Sequence, residues 1–278
     1  MTRSPWWRTY FDRRYFEMHA DLFPEERSRR EVAGMRELLG LPHGARVLDA
    51  PCGWGRHTEL LAAAGLRTIG ADLSYELLEQ VSRTDADAWL RSDPLVDDAP
   101  FAVYVAADIR HLPFADDSFD AVLNVFTSLG LFLNDDDDLA ALREARRVLR
   151  PGGALLLESM HRDDVIAHYA ERDRWSLPDG TEVRVRRRFD PVAGISRERL
   201  EWRGGETRGR KSHALRLRTA TEIDALLRRA GFRRIEYFGD WDGRPFHHTA
   251  ESLIAVARDG GPDLRAPDLR APDPEPDI

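Results

Sequence analysis

Polar side chains follow four apolar segments of the chain, at the point where each segment ends. The segments are short and rich in valine, leucine, isoleucine and alanine, which is typical of strands buried in a parallel sheet. Because the carboxyl ends of parallel strands meet at one edge of an open sheet, their polar side chains can contact a common ligand. The residues concerned are Asp49, Asp72, Asp108 and Asn124.

A glycine turn follows the first of these segments and leads into a predicted helix. Gly53 and Gly55 let the backbone approach a ligand closely, because neither residue carries a Cβ atom. Asp72 follows about 20 residues later, where a carboxylate can accept hydrogen bonds from two ribose hydroxyls. The turn reads Asp49-Ala50-Pro51-Cys52-Gly53-Trp54-Gly55-Arg56.

Two features of this turn distinguish between nucleotide cofactors. A nicotinamide dinucleotide site has a third glycine that allows close packing of helix on strand, whereas Thr58 holds that position here. Asp49 would repel a pyrophosphate, but its negative charge suits a cofactor with a cationic sulfonium and an ammonium group. The turn therefore favours an adenosyl sulfonium cofactor over a dinucleotide.

Length and composition exclude several classes of protein. The 278 residues allow one large domain or two small ones, and the formal net charge of -8 argues against nonspecific binding to nucleic acid. Cys52 is the single cysteine, so a disulfide framework and a multi-cysteine zinc site are excluded. The sequence lacks an apolar stretch of about 20 residues and a secretory signal at its beginning. We expect a cytoplasmic protein that binds neither nucleic acid nor a membrane.

The pattern of elements predicts four parts. Residues 1–40 form an amphipathic helical cap, and residues 41–160 together with 218–258 form an α/β core of alternating strands and helices. Residues 161–217 form an inserted antiparallel flap over the pocket for the second substrate, with strands at 181–189, 197–202 and 212–217. The tail, 259–278, repeats Ala-Pro-Asp and is predicted to be disordered.

The ordered motifs resemble those of class I S-adenosylmethionine-dependent methyltransferases. This resemblance implies a doubly wound, mostly parallel seven-stranded sheet of the Rossmann-like methyltransferase type, with S-adenosyl-L-methionine as cofactor. Pro51 and Cys52 depart from the family pattern, which often has glycine in that part of the turn. The motifs are the turn at Asp49, then Asp72-Leu-Ser, Asp108-Ile-Arg-His-Leu-Pro-Phe, Phe119-Asp-Ala-Val-Leu-Asn and Leu149-Arg-Pro-Gly-Gly.

The resemblance also implies a role for each matching residue. Asp49, Gly53 and Gly55 would line the methionine part of the cofactor. Asp72 would hold the ribose hydroxyls, and Leu73 would pack on the adenine. The remaining residues are Asp108 at the adenine amino group, Ile109 beside the ring, and Asn124 and Val125 near the sulfonium and the acceptor.

The acceptor side leaves alternatives open. Tyr15, a candidate catalytic residue, and Tyr10 either cover the cofactor or pack the N-terminal helix on the core. His161, which follows the fifth strand, is either a general base or a surface histidine near a helix start. Three alternating flap arginines either grip an anionic substrate or form a solvated face of a strand: Arg184, Arg186 and Arg188.

The loop at 238–248 carries two histidines and two aspartates, but their spacing fits no helical pair of metal ligands. We expect this loop to close over the acceptor pocket, without a metal ion.

Methyl transfer from a sulfonium is an in-line displacement, for which the protein mainly aligns the acceptor with the methyl group. We therefore expect transfer to a nitrogen or oxygen of a small-molecule acceptor by a monomer or homodimer. Two alternatives are a non-methylating enzyme on the same scaffold, which catalyses cyclisation or another alkyl transfer, and a module that binds the cofactor without turnover.

Overall fold

A computed structural model describes residues 5–81, 101–204 and 207–260. The predicted disordered tail therefore lies almost entirely outside the described residues. The strands are β1 (Arg46–Asp49), β2 (Arg67–Asp72), β3 (Phe101–Ala106), β4 (Phe119–Asn124), β5 (Leu149–Ser159), β6 (Arg172–Ser176), β7 (Glu182–Asp190), β8 (Ile195–Gly204), β9 (Thr207–Arg216), β10 (Arg234–Phe238) and β11 (Leu253–Arg258).

Seven of these strands form one sheet in the order β10-β11-β5-β4-β1-β2-β3. β1 to β5 run parallel, while β11 runs antiparallel to both β5 and β10. The carboxyl ends of β1, β2, β3 and β4 therefore lie at one edge. The predicted doubly wound, mostly parallel seven-stranded sheet is confirmed.

Helices cover both faces of this sheet. They are α1 (Trp7–Tyr10), α2 (Arg13–His19), α3 (Glu25–Leu39), α4 (Arg56–Ala63), α5 (Tyr75–Leu78), α6 (Asp135–Val148), α7 (Arg162–Ala167) and α8 (Ala220–Ala230), with a 3-10 turn at Ala20–Leu22. Side-chain caps fix several of the helix beginnings: Asp12 accepts the N–H of Tyr15 in α2, and Thr219 and Glu222 form a capping box in α8. Within the described ranges, no helix is long and apolar enough to cross a membrane.

Alternate side chains of the central strands enter two apolar layers, because successive residues of a strand face opposite sides of the sheet. Leu48 of β1 belongs to the layer that includes Leu227 of α8. Its neighbour Val47 belongs to the layer that includes Met35 of α3. The two layers thus pack both faces of the sheet and fix the position of the strand ends at its edge.

The other four strands form an antiparallel sheet in the order β6-β7-β8-β9. Its inner face packs Val183, Val185 and Leu200 against Met18 of α2. Three of its strands correspond to those predicted from the sequence. β6 was not predicted as a strand, because the sequence Arg-Asp-Arg-Trp-Ser offers little of the apolar alternation that identifies one.

Candidate active site

A cavity of about 500 Å³ opens at the carboxyl edge of the seven-stranded sheet. Its wall combines the turn after β1, the ends of β2, β3 and β4, helices α1 and α2, and the inner face of β9. Seven of the predicted site residues line this cavity: Tyr15, Gly53, Asp72, Leu73, Asp108, Ile109 and Val125.

Asp72 connects the end of β2 to the glycine turn. Its Oδ2 accepts the N–H of Gly53 at 2.8 Å, and its Oδ1 accepts the N–H of Ser74 at 2.8 Å. Burial raises the pKa of Asp72, although these backbone N–H groups partly offset that effect by stabilising the charged form. A carboxylate offers about four lone-pair positions, so each oxygen can still accept a ligand hydroxyl.

Asp108 follows β3 and is held by Arg110. The guanidinium donates Nε to Oδ1 at 3.0 Å and Nη2 to Oδ2 at 2.7 Å, which fixes the plane of the carboxylate. Partial burial alone would raise the pKa of Asp108, but the hydrogen bonds from Arg110 lower it. Arg110 itself lies over the ring of Phe132, 4.6 Å from its centroid, and so joins this carboxylate to an aromatic wall.

Gly53 shows why the turn needs a glycine that has space around it. Its φ is +58°, a conformation that side chains rarely adopt, and a Cβ atom built there meets no protein atom within 4 Å. The open space is the cavity. Gly55 differs, because its φ is +72° and a Cβ atom would lie 2.5 Å from the hydroxyl of Tyr104. Gly53 therefore faces the ligand space, whereas Gly55 permits close packing behind the turn.

Asp49 and Asn124 lie behind the cavity wall and support it. Asp49 is only 1% exposed, and its Oδ2 accepts the hydroxyl of Thr58 at 2.7 Å. Its Oδ1 has no hydrogen-bond partner among the described residues, and burial raises its pKa. Asn124 donates Nδ2 to the carbonyl of Ala50 at 2.9 Å and so anchors the glycine turn to β4.

Cys52 is the small buried residue of the turn. Burial raises the pKa of its thiol, so the thiol stays protonated and unreactive.

His161 and Tyr15, the two residues predicted for catalysis, occupy different surroundings. His161 is 1% exposed, its Nε2 donates to the carbonyl of Ala250 at 2.5 Å, and it is not part of the cavity wall. This geometry gives no support to a role as general base. Tyr15 does line the cavity, but burial raises the pKa of its phenol, so the hydroxyl stays protonated.

The loop at 238–248 packs against α3 instead of closing the cavity. A Cβ atom at Gly34 would lie 2.4 Å from the carbonyl oxygen of Trp241, which shows how closely the two elements approach. The cavity wall contains only the two residues Glu251 and Ser252 from the segment that follows. Among the described residues, no three histidine, cysteine, aspartate or glutamate side chains are grouped to hold a metal ion.

His213 of β9 lines the cavity and was missed by the sequence analysis. Its ring lies 4.8 Å from that of Tyr10, and its Nδ1 is 3.8 Å from Oε1 of Glu198 on β8. Glu198 in turn accepts Nε of Arg187 on β7 at 2.5 Å. These three side chains stand in register across neighbouring strands, on the inner face of the sheet. Burial and the charge of Arg187 lower the pKa of His213 to about 4, so its ring is neutral at neutral pH.

Glu158 at the end of β5 holds a strained turn after β4. Phe126 and Thr127 have φ values of +61° and +55°, which are unusual for residues other than glycine. Glu158 Oε2 accepts the N–H of Phe126 at 2.6 Å, and Oε1 accepts the hydroxyl of Ser252 at 3.1 Å. Backbone strain of this kind persists where surrounding contacts enforce it, most often at a ligand site. Burial raises the pKa of Glu158.

A buried ionic network supports the same region from α3. Glu31 accepts Nε of Arg27 at 2.9 Å and Nε2 of His57 at 2.7 Å, and it also pairs with Arg56. Burial alone would raise the pKa of Glu31, but the hydrogen bond from His57 and the charge of Arg56 lower it to about 2. Arg56 and His57 both line the cavity, so this network fixes part of its wall.

Comparison with known proteins agrees with this geometry. Residues 48–157 match the family model described as a methyltransferase domain. The chain is 39% identical over 119 residues to a demethylmenaquinone methyltransferase of Mycobacterium sp. (strain KMS), and the match covers 43% of either chain. The chain thus spans about half or less of the length of the curated relatives that it matches.

Two solved structures share the fold at low sequence identity. The CcbJ methyltransferase from Streptomyces caelestis has a TM-score of 0.72 and 22% identity, over 90% of this chain and 97% of that one. S-adenosylmethionine-bound CalS10, an amino pentose methyltransferase from Micromonospora echinaspora, has a TM-score of 0.60 and 22% identity, over 83% of this chain and 91% of that one.

Residues 48–157 thus match a methyltransferase domain, in agreement with the resemblance of the motifs. The solved methyltransferase structures share the fold over most of the chain.

Proposed function

We propose that the protein transfers the methyl group of S-adenosylmethionine to a nitrogen or oxygen of a small molecule bound in the cavity. The observation that carries this proposal is the placement of Asp72 and Asp108 in the wall of one cavity, at the ends of neighbouring strands. The site can hold a nucleoside at one end and leaves an aromatic space at the other.

The residues present fit this cofactor. We assign Asp72 to the ribose hydroxyls, Leu73 and Ile109 to the faces of the adenine, and Asp108 to its amino group. The space beside Gly53 admits the methionine part, and the unpartnered Oδ1 of Asp49 supplies negative charge behind the turn. When bound, the cofactor supplies an electrophilic methyl group on a positively charged sulfur.

The acceptor space is formed mainly by aromatic and apolar side chains. Trp7 and Phe132 meet edge to face at 5.4 Å, and Leu131 and Met160 also line the cavity. An apolar wall excludes water and holds the acceptor in line with the methyl group, and such positioning can supply about 7–11 kcal/mol of the barrier. Small molecules fit this space, and the relatives are named for an amino pentose and for demethylmenaquinone.

His213 is the group that we assign to the acceptor proton. Its Nδ1 is enclosed against Glu198, which leaves Nε2 to reach a molecule in the cavity. The ring is neutral at neutral pH and is therefore in the form that can accept a proton. The protonated phenols of Tyr10 and Tyr15 can donate hydrogen bonds that orient the acceptor.

A transfer assay with methyl-labelled S-adenosylmethionine and a panel of small amines, phenols and alcohols tests this proposal. We expect S-adenosylhomocysteine to form in equal amount to a methylated product. Release of methylthioadenosine would instead identify another alkyl transfer, and binding of the cofactor without turnover across the panel would identify a sensor. We also expect a cytoplasmic monomer or homodimer, which light scattering and cell fractionation would check.

A further inference from the structure

The outer face of the four-stranded sheet is strongly basic. Val183, Val185 and Leu200 are buried on the inner face, so alternation directs the residues between them to the outside. We call this outer surface the arginine face. Its arginines are Arg172, Arg174, Arg184, Arg186, Arg188, Arg197, Arg199, Arg203, Arg208, Arg210 and, at the end of β9, Arg216, which pairs with Asp135.

The strand register places like charges side by side on this face. Arg186 lies between Arg172 and Arg199 on the neighbouring strands, and Arg188 lies opposite Arg197. Like charges directly opposite each other destabilise a sheet. Such an arrangement is unfavourable for the fold alone, but an anionic surface placed against it would relieve the repulsion.

Few acids neutralise the arginine face. Glu182 pairs with Arg184 at 3.1 Å, and Glu201 pairs with Arg199 at 2.5 Å. Asp190, at the edge of the face, interacts with nearby arginines only at longer range. Within the part of the chain that the structure describes, the eight arginines of the face other than Arg184, Arg199 and Arg216 form no salt bridge. The excess of positive charge is concentrated here although the whole chain has a net charge of -8.

The composition of the face favours lipid headgroups over the other polyanions. On the described part of the arginine face, serine and glutamate stand between the arginines, and there is no aromatic side chain. The bases of single-stranded nucleic acid stack on aromatic side chains, so this face lacks the groups that would bind them. Val192 stands at the turn between β7 and β8 and is 96% exposed. It follows the strand that carries Arg188. Clustered cations are attracted to an anionic bilayer, and an exposed apolar side chain beside them can be buried in its headgroup region.

We propose that the arginine face docks the protein on an anionic lipid bilayer, with Val192 entering the headgroup region. The guanidinium groups bind lipid phosphates through paired N–H donors. This contact is peripheral and weakens as salt rises, because it depends on exposed charges.

Vesicle co-sedimentation tests this proposal with the full chain. The probes are vesicles of phosphatidylcholine alone and of phosphatidylcholine mixed with phosphatidylglycerol, at about 0.1 M and 1 M salt. We expect binding only to the mixed vesicles at low salt. The test variant carries Arg172→Glu, Arg186→Glu and Arg197→Glu, and we expect at least about tenfold weaker binding from it.

A matched control carries the same change of charge elsewhere. Arg30→Glu, Arg143→Glu and Arg233→Glu replace three exposed arginines outside the arginine face, and we expect this variant to bind as the wild type does. Circular dichroism verifies that both variants fold. Absence of wild-type binding at low salt, or an equal loss in both variants, would overturn the proposal. Binding of a DNA duplex but not of vesicles would assign the face to nucleic acid and would also overturn it.

Discussion

The N–H of Gly53 donates to Oδ2 of Asp72 at 2.8 Å and thereby ties the turn after β1 to the end of β2. The turn that must approach the methionine part and the carboxylate assigned to the ribose are thus one rigid unit. Preorganisation of this kind lowers the cost of binding, because the groups are already in place when the ligand arrives. Changes at either residue are expected to affect cofactor affinity before they affect folding.

Alanine at the two glycines of this turn should have different effects. Gly53→Ala places a methyl group in the cavity without contacting the protein, so we expect a loss of affinity for S-adenosylhomocysteine with a stability cost of about 1–2 kcal/mol from the left-handed backbone. Gly55→Ala adds a clash with Tyr104 and should destabilise more. Calorimetric titration and urea unfolding of both variants check this, and equal stability losses would contradict it.

The Glu31 network should make stability depend on acid. Because the pKa of Glu31 falls from 4.5 to about 2 on folding, its contribution is complete above pH 4.5 and is lost as the pH falls towards 2. Glu31→Gln should cost about 3 kcal/mol at neutral pH, because it leaves Arg56 without its buried partner. Urea unfolding at several pH values should show that the difference in free energy of unfolding between Glu31→Gln and the wild type becomes smaller in acid.

Glu37→Gln, at an exposed position of the same helix, is the matched control and should leave stability unchanged at every pH. A difference between Glu31→Gln and wild type that stays constant from neutral pH to pH 2 would show that the charge of Glu31 is not what stabilises the fold.

His213→Gln should slow methyl transfer about 100-fold for a hydroxyl acceptor, since general base catalysis contributes at least that much. The wild-type rate should be nearly flat above pH 5, because the pKa of His213 is about 4. The variant should instead accelerate as the pH rises and the acceptor ionises by itself. Affinity for S-adenosylhomocysteine should be unchanged, and the exposed His168→Gln should behave as wild type. Parallel pH profiles for wild type and His213→Gln would limit His213 to a structural role.

The central sheet and half of the site could be predicted from the sequence. Consecutive parallel strands end at the same edge, so Asp72 and Asp108 must meet there once the strands are recognised. The sequence could not show that Asp49 and Asn124 lie behind the cavity wall, because their position depends on the local path of the backbone at each strand end.

The acceptor side depends on contacts between distant segments. His213 reaches the cavity because β9 packs on helices α1 and α2, about 200 residues earlier in the chain. The hydrogen bond from Lys211 of β9 to the carbonyl of Tyr10 shows this packing. His161, although it follows β5 as predicted, is buried beside Phe246 by the loop before β11. Of the arginine face, the sequence analysis found Arg184, Arg186 and Arg188 on one strand, whereas the arginines beside them depend on the register between neighbouring strands.

Binding of the cofactor is the most direct test of the account. Thermal unfolding should be measured with S-adenosylmethionine, S-adenosylhomocysteine and NAD, for the wild type, for Asp72→Ala and for the exposed control Asp21→Ala. A ligand at 100 times its dissociation constant adds about 2.7 kcal/mol to the free energy of unfolding. Both sulfur nucleotides should therefore raise the melting temperature of the wild type and of the control, but not that of Asp72→Ala. Stabilisation by NAD alone, or equal stabilisation of Asp72→Ala, would contradict the assignment of this site.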